Sequence, residues 1–143
     1  MGLPKGRSVA LPFGRQRGLY LVDDLTLIYI FAVCGETVVK EIESVELEKR
    51  LAVEEGLYLL DIRSEAEVVH GMLPNSAHLP MHLIPLRMNE FPKDREIVLY
   101  CRSGARSYHA CMYLMQQGFN NVINLKGGII DWARNRFEIV AYG

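Results

Sequence analysis

The stretch LYCRSGARSY, residues 99–108, joins an apolar run to a helical pattern. Residues 97–100 are continuously apolar or aromatic, which predicts a strand buried on both faces. Residues 106–117 predict a helix, and Gly118 follows where a glycine commonly ends one. Cys101 lies between the two patterns. In an open parallel sheet, ligands bind beyond the carboxyl ends of the strands, so the stretch predicts both a strand–loop–helix unit and a site.

Cys101 is the candidate nucleophile because its predicted surroundings favour a thiolate. The dipole of the following helix places partial positive charge there. The N–H groups of the loop can converge on one point as an anion-binding nest. Arg102 and Arg106 add full positive charges. Cysteines in such settings have pKa values lowered from about 8.5 to roughly 3.5–7.5, so we expect Cys101 to react at neutral pH.

The rest of the loop is suited to holding a small anion. Gly104 lets the backbone curl without a Cβ penalty. Ser103 and Ala105 are small and leave room above the sulfur. The predicted cradle runs from Cys101 to Arg106, and Ser107 follows it as a further candidate residue of the loop. We therefore expect the loop to bind a small anion or an anionic group carried on Cys101. The alternative is a buried cysteine at a strand end, beside a chance pair of surface arginines.

The remainder of the chain alternates strands with helices from residue 37 onward. Predicted strands cover residues 37–42, 57–60, 77–79, 96–100 and 122–123, and predicted helices cover 44–55, 64–70, 83–90 (helix or turn), 106–117 and 129–135. Ser44 and Ser64 are predicted as N-caps. Such alternation predicts an α/β fold in which helices cover both faces of a mostly parallel central sheet.

The 143 residues suit one domain, which we place at 37–143, preceded by an extension over 1–36. Within the extension, residues 1–18 are interpreted as a flexible basic tail, and residues 19–34 are apolar and of unknown role. A basic start before an apolar run resembles a signal peptide. However, Asp23 and Asp24 interrupt the pattern, so a cytoplasmic location is expected and periplasmic export is the alternative.

Composition excludes several classes of protein. The net charge is −1, which argues against nucleic acid as the main partner because phosphate binding needs a concentrated basic face. The most apolar run, residues 25–34, is too short to span a membrane, since spanning needs roughly 20 residues. Three cysteines are too few for a disulfide framework and indicate a reducing compartment.

Four motifs occur in an order that resembles the single-domain rhodaneses, a family of sulfurtransferases. They are the loop Cys101-Arg102-Ser103-Gly104-Ala105-Arg106-Ser107, Leu60-Asp61-Ile62-Arg63 with Glu67, the segment from Gly71 to Pro80, and Leu125-x-Gly127-Gly128-x-x-x-Trp132. The sequence departs from the family at Met72, Asn75 and Ser76, where histidine, glycine and alanine are usual. The resemblance covers residues 37–137 and implies the rhodanese-like fold.

The resemblance implies a two-step reaction on Cys101. Its thiolate takes a sulfane sulfur, as from thiosulfate, and the resulting persulfide passes that sulfur to cyanide, a thiol or a protein thiol. The implied partners are therefore a small anionic sulfur donor and a thiol or protein acceptor, with no cofactor. Asp61 and Arg63 are expected to form a buried ion pair near the pocket. The chain is expected to act as a monomer or homodimer.

Two other classes of function are compatible with the same residues. A cysteine-dependent phosphatase or arsenate reductase uses the pattern Cys-x5-Arg, whereas here four residues separate Cys101 from Arg106. The shorter cradle favours sulfur over phosphate. A rhodanese-fold binding module without turnover is a further alternative.

The other candidate side chains carry weaker signals. Cys111 is interpreted as a core thiol with a possible resolving role, and Cys34 as a buried thiol. His78 and His82 have helical spacing, but Pro80 between them argues against a shared helix face, so no metal site is expected.

Overall fold

Five parallel strands form one sheet in the computed structural model, which describes residues 38–53 and 56–142. The strands are β1 (Lys40–Ile42), β2 (Tyr58–Asp61), β3 (Ser76–His78), β4 (Ile97–Tyr100) and β5 (Val122–Leu125). Their order is β1-β5-β4-β2-β3, and every pairing is parallel. The predicted extension 1–36, including Cys34, lies outside the described residues.

Helices and 3-10 turns connect the strands. The α-helices are α1 (Ser44–Val53), α2 (Glu65–Val68), α3 (Ile84–Arg87), α4 (Ala105–Gln116) and α5 (Gly128–Arg134), and the 3-10 turns are Met81–Leu83 and Met88–Glu90. In the part of the chain that the structure describes, no helix has the length and apolar character needed to cross a bilayer.

The central strand β4 is buried on both faces, as its sequence predicts. Leu99 belongs to a core cluster that includes Leu114 of α4, whereas Val98 belongs to a second cluster with Leu47 of α1 and Trp132 of α5. Because consecutive strand residues point to opposite faces, these two clusters lie on opposite sides of the sheet. The predicted α/β architecture is thus confirmed.

The predicted helix starts have different outcomes. Ser64 is the N-cap of α2, and its side chain and that of Glu67 form a reciprocal capping box. Ser44, by contrast, is not an N-cap but the first residue of α1. The carbonyl of Glu43 already accepts the first helical hydrogen bond, from Leu47, so Glu43 occupies the cap position. The Ser44 side chain is buried in the interior. Its hydroxyl is buried and has no partner among the described residues.

Element boundaries also differ from the predictions. The first strand begins at Lys40 rather than residue 37, and the last strand continues to Leu125 rather than ending at residue 123. The predicted helix over 83–90 is a single α-helical turn between the two 3-10 turns. Pro85 lies in the first turn of α3, where a missing N–H has no cost.

The segment that departs from the family pattern is accommodated locally. Asn75 has a φ of 60°, a conformation that asparagine tolerates better than most residues with a Cβ. The Ser76 hydroxyl donates to the Leu73 carbonyl at 2.7 Å and lies 2.9 Å from the Tyr100 hydroxyl. Met72 forms an antiparallel bridge with Val140. The segment is therefore fastened to the end of β4, next to Cys101.

Candidate active site

Cys101 follows β4 directly, and its sulfur is surrounded by hydrogen-bond donors. The Gly104 N–H lies 3.1 Å from Sγ, and the N–H and hydroxyl of Ser107 both lie 3.4 Å from it. Gly104 has a φ of 98°, which turns the loop so that these groups converge. Cys101 is only 1% exposed, so the sulfur lies inside the cradle rather than on its rim.

The donors lower the pKa of the Cys101 thiol. Burial is the largest single influence and raises the pKa, but the Ser107 hydroxyl and the N–H groups of Ser107, Gly104 and Ser103 together outweigh it. The net direction is the one predicted from the sequence. The main cause differs, because hydrogen bonds to the sulfur stabilise the thiolate more than the two arginines do.

The two predicted arginines have different surroundings. Arg106 forms a bidentate ion pair with Glu67, with N–O distances of 3.0 and 2.9 Å, so its guanidinium links α4 to α2. Arg102 is exposed, and none of the described carboxylates lies within ion-pair distance of it. Arg106 therefore helps to hold the loop, and Arg102 is the more available cation beside the cysteine. The cradle also closes at Ser107 rather than at Arg106, because Ser107 contributes two of the donors.

The start of α5 is hydrogen-bonded to the backbone of the cysteine loop. The N–H groups of Ile129 and Ile130 donate to the carbonyl oxygens of Cys101 and Arg102, at 2.9 and 3.1 Å. The approach requires glycine at residue 128, since a Cβ there would lie 2.3 Å from the Arg102 carbonyl oxygen. The Gly-Gly motif after β5 thus belongs to the candidate site, although it contributes no side chain.

A chain of polar side chains lies behind Ser107, buried at Asn124 and ending at the exposed Glu41. The Ser107 hydroxyl is hydrogen-bonded to Oδ1 of Asn124 on β5. The Asn124 Nδ2 donates to Glu41 Oε2 at 2.8 Å and to the Gly104 carbonyl at 3.2 Å. Sequence reasoning missed both Asn124 and Glu41. The signal that could have found Asn124 is one polar residue in an otherwise apolar strand.

Asp61 and Arg63 form the predicted buried ion pair. The Arg63 Nη2 lies 2.7 Å from Asp61 Oδ2, the Arg63 backbone N–H donates to Asp61 Oδ1, and Asp61 is fully buried. The same guanidinium nitrogen donates to the Gly71 carbonyl at 2.7 Å. The pair therefore connects the end of β2 to the segment that precedes β3.

Among the remaining candidate residues, Cys111 lies in the same buried core cluster as Cys101 but is not one of the groups that donate to its sulfur. Burial, followed by the charge of Glu41, raises the pKa of the Cys111 thiol to about 12. The His78 Nε2 lies 2.7 Å from the Arg63 carbonyl oxygen, and His82 is exposed. Within residues 38–53 and 56–142, no group of three or more potential metal ligands occurs.

Comparisons of the sequence with known proteins point to one family. The family model of the rhodanese-like domain matches residues 44–135. A sulfurtransferase of Allochromatium vinosum is 61% identical over 103 residues, covering 72% of this chain and 96% of that protein. The thiosulfate sulfurtransferase GlpE of Glaesserella parasuis is 31% identical over 85 residues, covering 59% of this chain and 79% of that protein.

Solved structures agree with the sequence relatives. The crystal structure of a rhodanese-like domain protein from Staphylococcus aureus has a TM-score of 0.67 and 28% identity, and the match covers 73% of this chain and all of that one. The matched family region contains the cysteine loop, the Asp61–Arg63 pair and the Gly-Gly motif. The chain therefore belongs to the rhodanese-like domain family, and its relatives support a rhodanese-type sulfurtransferase.

Proposed function

We propose that this chain transfers sulfane sulfur through a persulfide on Cys101. The observation that carries the proposal is the cradle of N–H and O–H donors around the Cys101 sulfur. Donors arranged in this way stabilise a sulfur anion, which is the form of both the attacking thiolate and the persulfide at neutral pH. Cys101 is the proposed nucleophile. The loop residues Arg102, Ser103, Gly104, Ala105, Arg106 and Ser107 are proposed to bind the substrate and shape the cradle.

In the first proposed step, the Cys101 thiolate attacks the outer sulfur of thiosulfate. An S–S bond forms to Cys101, the S–S bond of thiosulfate breaks, and sulfite leaves with the electron pair. In the second step, a thiolate or cyanide attacks the terminal sulfur of the persulfide. The Cys101 thiolate then leaves, and a new persulfide or thiocyanate is released. Neither step needs a general base when the attacking groups are already ionised.

Arg102 is the proposed recruiting charge for the donor. It is exposed and adjacent to the nucleophile in the chain, so it can attract a small dianion without losing an existing ion pair among the described residues. Thiosulfate fits this chemistry, and one relative is named a thiosulfate sulfurtransferase. Asp61 and Arg63 are proposed to support the loop through the segment after β2, rather than to react.

Phosphatase chemistry has less support. A Cys-x5-Arg enzyme directs its arginine at the bound phosphate, whereas the Arg106 guanidinium is engaged by both carboxylate oxygens of Glu67. The donors of the smaller cradle also converge on a single sulfur atom, rather than spreading around three phosphate oxygens. We therefore propose sulfur transfer as the activity of this site.

The test is the intact mass of the full chain after incubation with thiosulfate and removal of excess donor. We expect one added sulfur, which cyanide or a thiol then removes, and no addition in Cys101→Ser. Cys111→Ser is the matched control and should still take up sulfur. Sulfur uptake by Cys101→Ser would contradict the proposal, as would hydrolysis of an aryl phosphate by a protein that takes up no sulfur.

A further inference from the structure

The Ser107 hydroxyl faces two acceptors but has a single hydrogen. Its oxygen is hydrogen-bonded to Asn124 Oδ1 and lies 3.4 Å from the Cys101 sulfur. A hydroxyl donates one hydrogen bond at a time and accepts through its lone pairs. The two contacts therefore cannot both be donated by Ser107 at the same moment.

The orientation of the Asn124 amide follows from its other contacts. Its nitrogen lies between two acceptors, the Glu41 carboxylate at 2.8 Å and the Gly104 carbonyl at 3.2 Å. Reversing the amide would place its oxygen against both of these oxygens. Asn124 is 1% exposed, so no bulk solvent competes for the place. Its Oδ1 therefore presents a fixed acceptor to Ser107.

We propose that the Ser107 hydroxyl has two orientations. It donates its hydrogen bond to Asn124 Oδ1 when Cys101 is a thiol, and to the Cys101 Sγ when Cys101 is a thiolate. In the first state, the S–H group donates to Ser107 Oγ. On ionisation the thiol proton leaves to water, the Ser107 hydroxyl rotates to the sulfur, and Asn124 Oδ1 loses its donor. No bond between heavy atoms changes and nothing is oxidised. Asn124 is thus a positioning residue that acts on the nucleophile through Ser107.

The consequence for reactivity is a balance between two opposing partners. Ser107 favours the thiolate by donating to it, whereas Asn124 opposes ionisation by competing for the same hydrogen. An acceptor left without a donor in the interior has a substantial free-energy cost. A thiolate that is stabilised too strongly is also a weaker nucleophile. Asn124 therefore limits how strongly the cradle stabilises the Cys101 thiolate, and the sulfur keeps more of its nucleophilicity.

The charged groups around this network lie on several elements of the fold. Arg106 on α4 interacts with the charge of Cys101 and is paired with Glu67 of α2. Glu41 on β1 contacts Asn124, and Asp61 at the end of β2 is paired with Arg63. Substitutions at Ser107 and Asn124 leave all of these charges in place. They therefore test the hydrogen position without changing the charges of the site.

The proposal is tested by the pH dependence of Cys101 alkylation in the full chain. Iodoacetamide labels the protein across a pH series, and the peptide that contains Cys101 is quantified by mass spectrometry. We expect Asn124→Leu, which keeps the branched shape of the side chain and has no acceptor, to lower the apparent pKa of Cys101 by about one unit. Ser107→Ala should raise it. In the double variant, the effect of Asn124→Leu should disappear.

A second pair of variants keeps the proposal testable if Asn124→Leu does not fold. Glu41 is exposed on the edge strand. Glu41→Ala and Glu41→Gln both remove its charge, but only glutamine retains an acceptor for the Asn124 amide. Only the longer contact with the Gly104 carbonyl, at 3.2 Å, then holds the Asn124 amide in its orientation. We expect Glu41→Ala to shift the pKa of Cys101 downwards relative to Glu41→Gln, since a less firmly held amide reverses in part of the molecules and frees the Ser107 hydroxyl there.

Three results would overturn the proposal. The first is an unchanged or raised pKa of Cys101 in a folded Asn124→Leu protein, and the second is an equal pKa of Cys101 in the two Glu41 variants. The third is an Asn124→Leu effect that persists fully without the Ser107 hydroxyl. The inference rests on Cys101 as the reactive thiol of the proposed function. Because alkylation needs no sulfur donor, its outcome remains separate from the success or failure of sulfur transfer.

Discussion

Gly128 and the carbonyl group of Arg102 are in such close contact that a Cβ on Gly128 would lie 2.3 Å from the Arg102 oxygen and 2.6 Å from that of Cys101. The contact places the first turn of α5 directly under the cysteine loop. The amides of Ile129 and Ile130 complete it by donating to the same two carbonyls. The geometry of the loop therefore depends on a helix that begins well after it in the chain.

Gly128→Ala is expected to disrupt the loop. It combines a φ of 62° with a backbone clash, so we expect a loss of about 3 kcal/mol in unfolding free energy, measured in urea, and a large fall in sulfur transfer. Gly118→Ala is the control, since Gly118 also has a positive φ but a Cβ there would meet no atom within 4 Å. It should cost about 1–2 kcal/mol and leave turnover unchanged. Equal effects of the two substitutions would contradict the proposed support.

Glu67→Gln tests the ion pair with Arg106. The hydrogen bond from Arg106 is the main cause that lowers the pKa of Glu67 from 4.5 to about 2. A lowered pKa in the folded state stabilises the protein above pH 4.5, and that contribution is lost as the pH falls towards 2. The pair is partly exposed, so we expect the unfolding free energy of the wild type to exceed that of Glu67→Gln by about 0.5–1 kcal/mol at neutral pH.

The measurement is urea unfolding of both proteins at neutral and acid pH. The difference between them should vanish at the acid end. Glutamine preserves the capping box with Ser64, so the substitution isolates the ion pair. Glu90→Gln, which removes the exposed pair with Arg87, is the control and should change unfolding less. A difference that is independent of pH would show that the charge of Glu67 is not its cause.

Arg102→Ala is expected to weaken donor binding without destabilising the fold. Arg102 is exposed and unpaired among the described residues, so its removal should raise the KM for thiosulfate about fivefold while kcat changes little. Steady-state kinetics at several salt concentrations provides the check, because the effect of an exposed charge shrinks with screening. Arg134→Ala, at the other end of α5, is the control. A KM that does not respond to Arg102→Ala would remove this residue from donor binding.

Asp61→Asn should be strongly destabilising. It leaves the Arg63 guanidinium buried beside a neutral amide, and breaking a buried pair in this way typically costs about 3–5 kcal/mol. Chemical denaturation measures the loss, and Asp94→Asn on the exposed turn before β4 serves as the control. Wild-type stability in Asp61→Asn would mean that Arg63 satisfies its charge elsewhere.

Local patterns are sufficient to predict much of the fold. The apolar run before Cys101 and the glycine at residue 104 determine the strand, the turn and the start of α4, because these features depend on neighbours in the chain. The prediction that Ser44 caps α1 is wrong. The position of the cap depends on the residue at which the chain leaves β1 and enters the helix, and local sequence does not determine that residue. Ser64, whose partner Glu67 is three residues away, is predicted correctly.

The partners of the loop are harder to predict because they are distant in sequence. Arg106 and Glu67 are 39 residues apart, so their spacing in the sequence does not predict the ion pair. Nor does it predict that the Arg106 guanidinium is engaged by a carboxylate. The Gly-Gly motif is recognisable as a signature, but its contact with the carbonyls of the cysteine loop depends on the packing of α5. The catalytic roles of Cys101 and its loop remain proposals that the experiments above test.

The hydrogen bond between Glu41 and Asn124 joins residues that are 83 positions apart, the longest separation within the polar chain behind Cys101. During synthesis, β1 leaves the ribosome long before the strand with which it pairs. Cys101 emerges with its loop residues but without Asn124 or the amides of Ile129 and Ile130. A nascent chain therefore holds its cysteine in a loop without these supporting contacts, and the arrangement of groups around the Cys101 sulfur is complete only after the last strand and helix have been released.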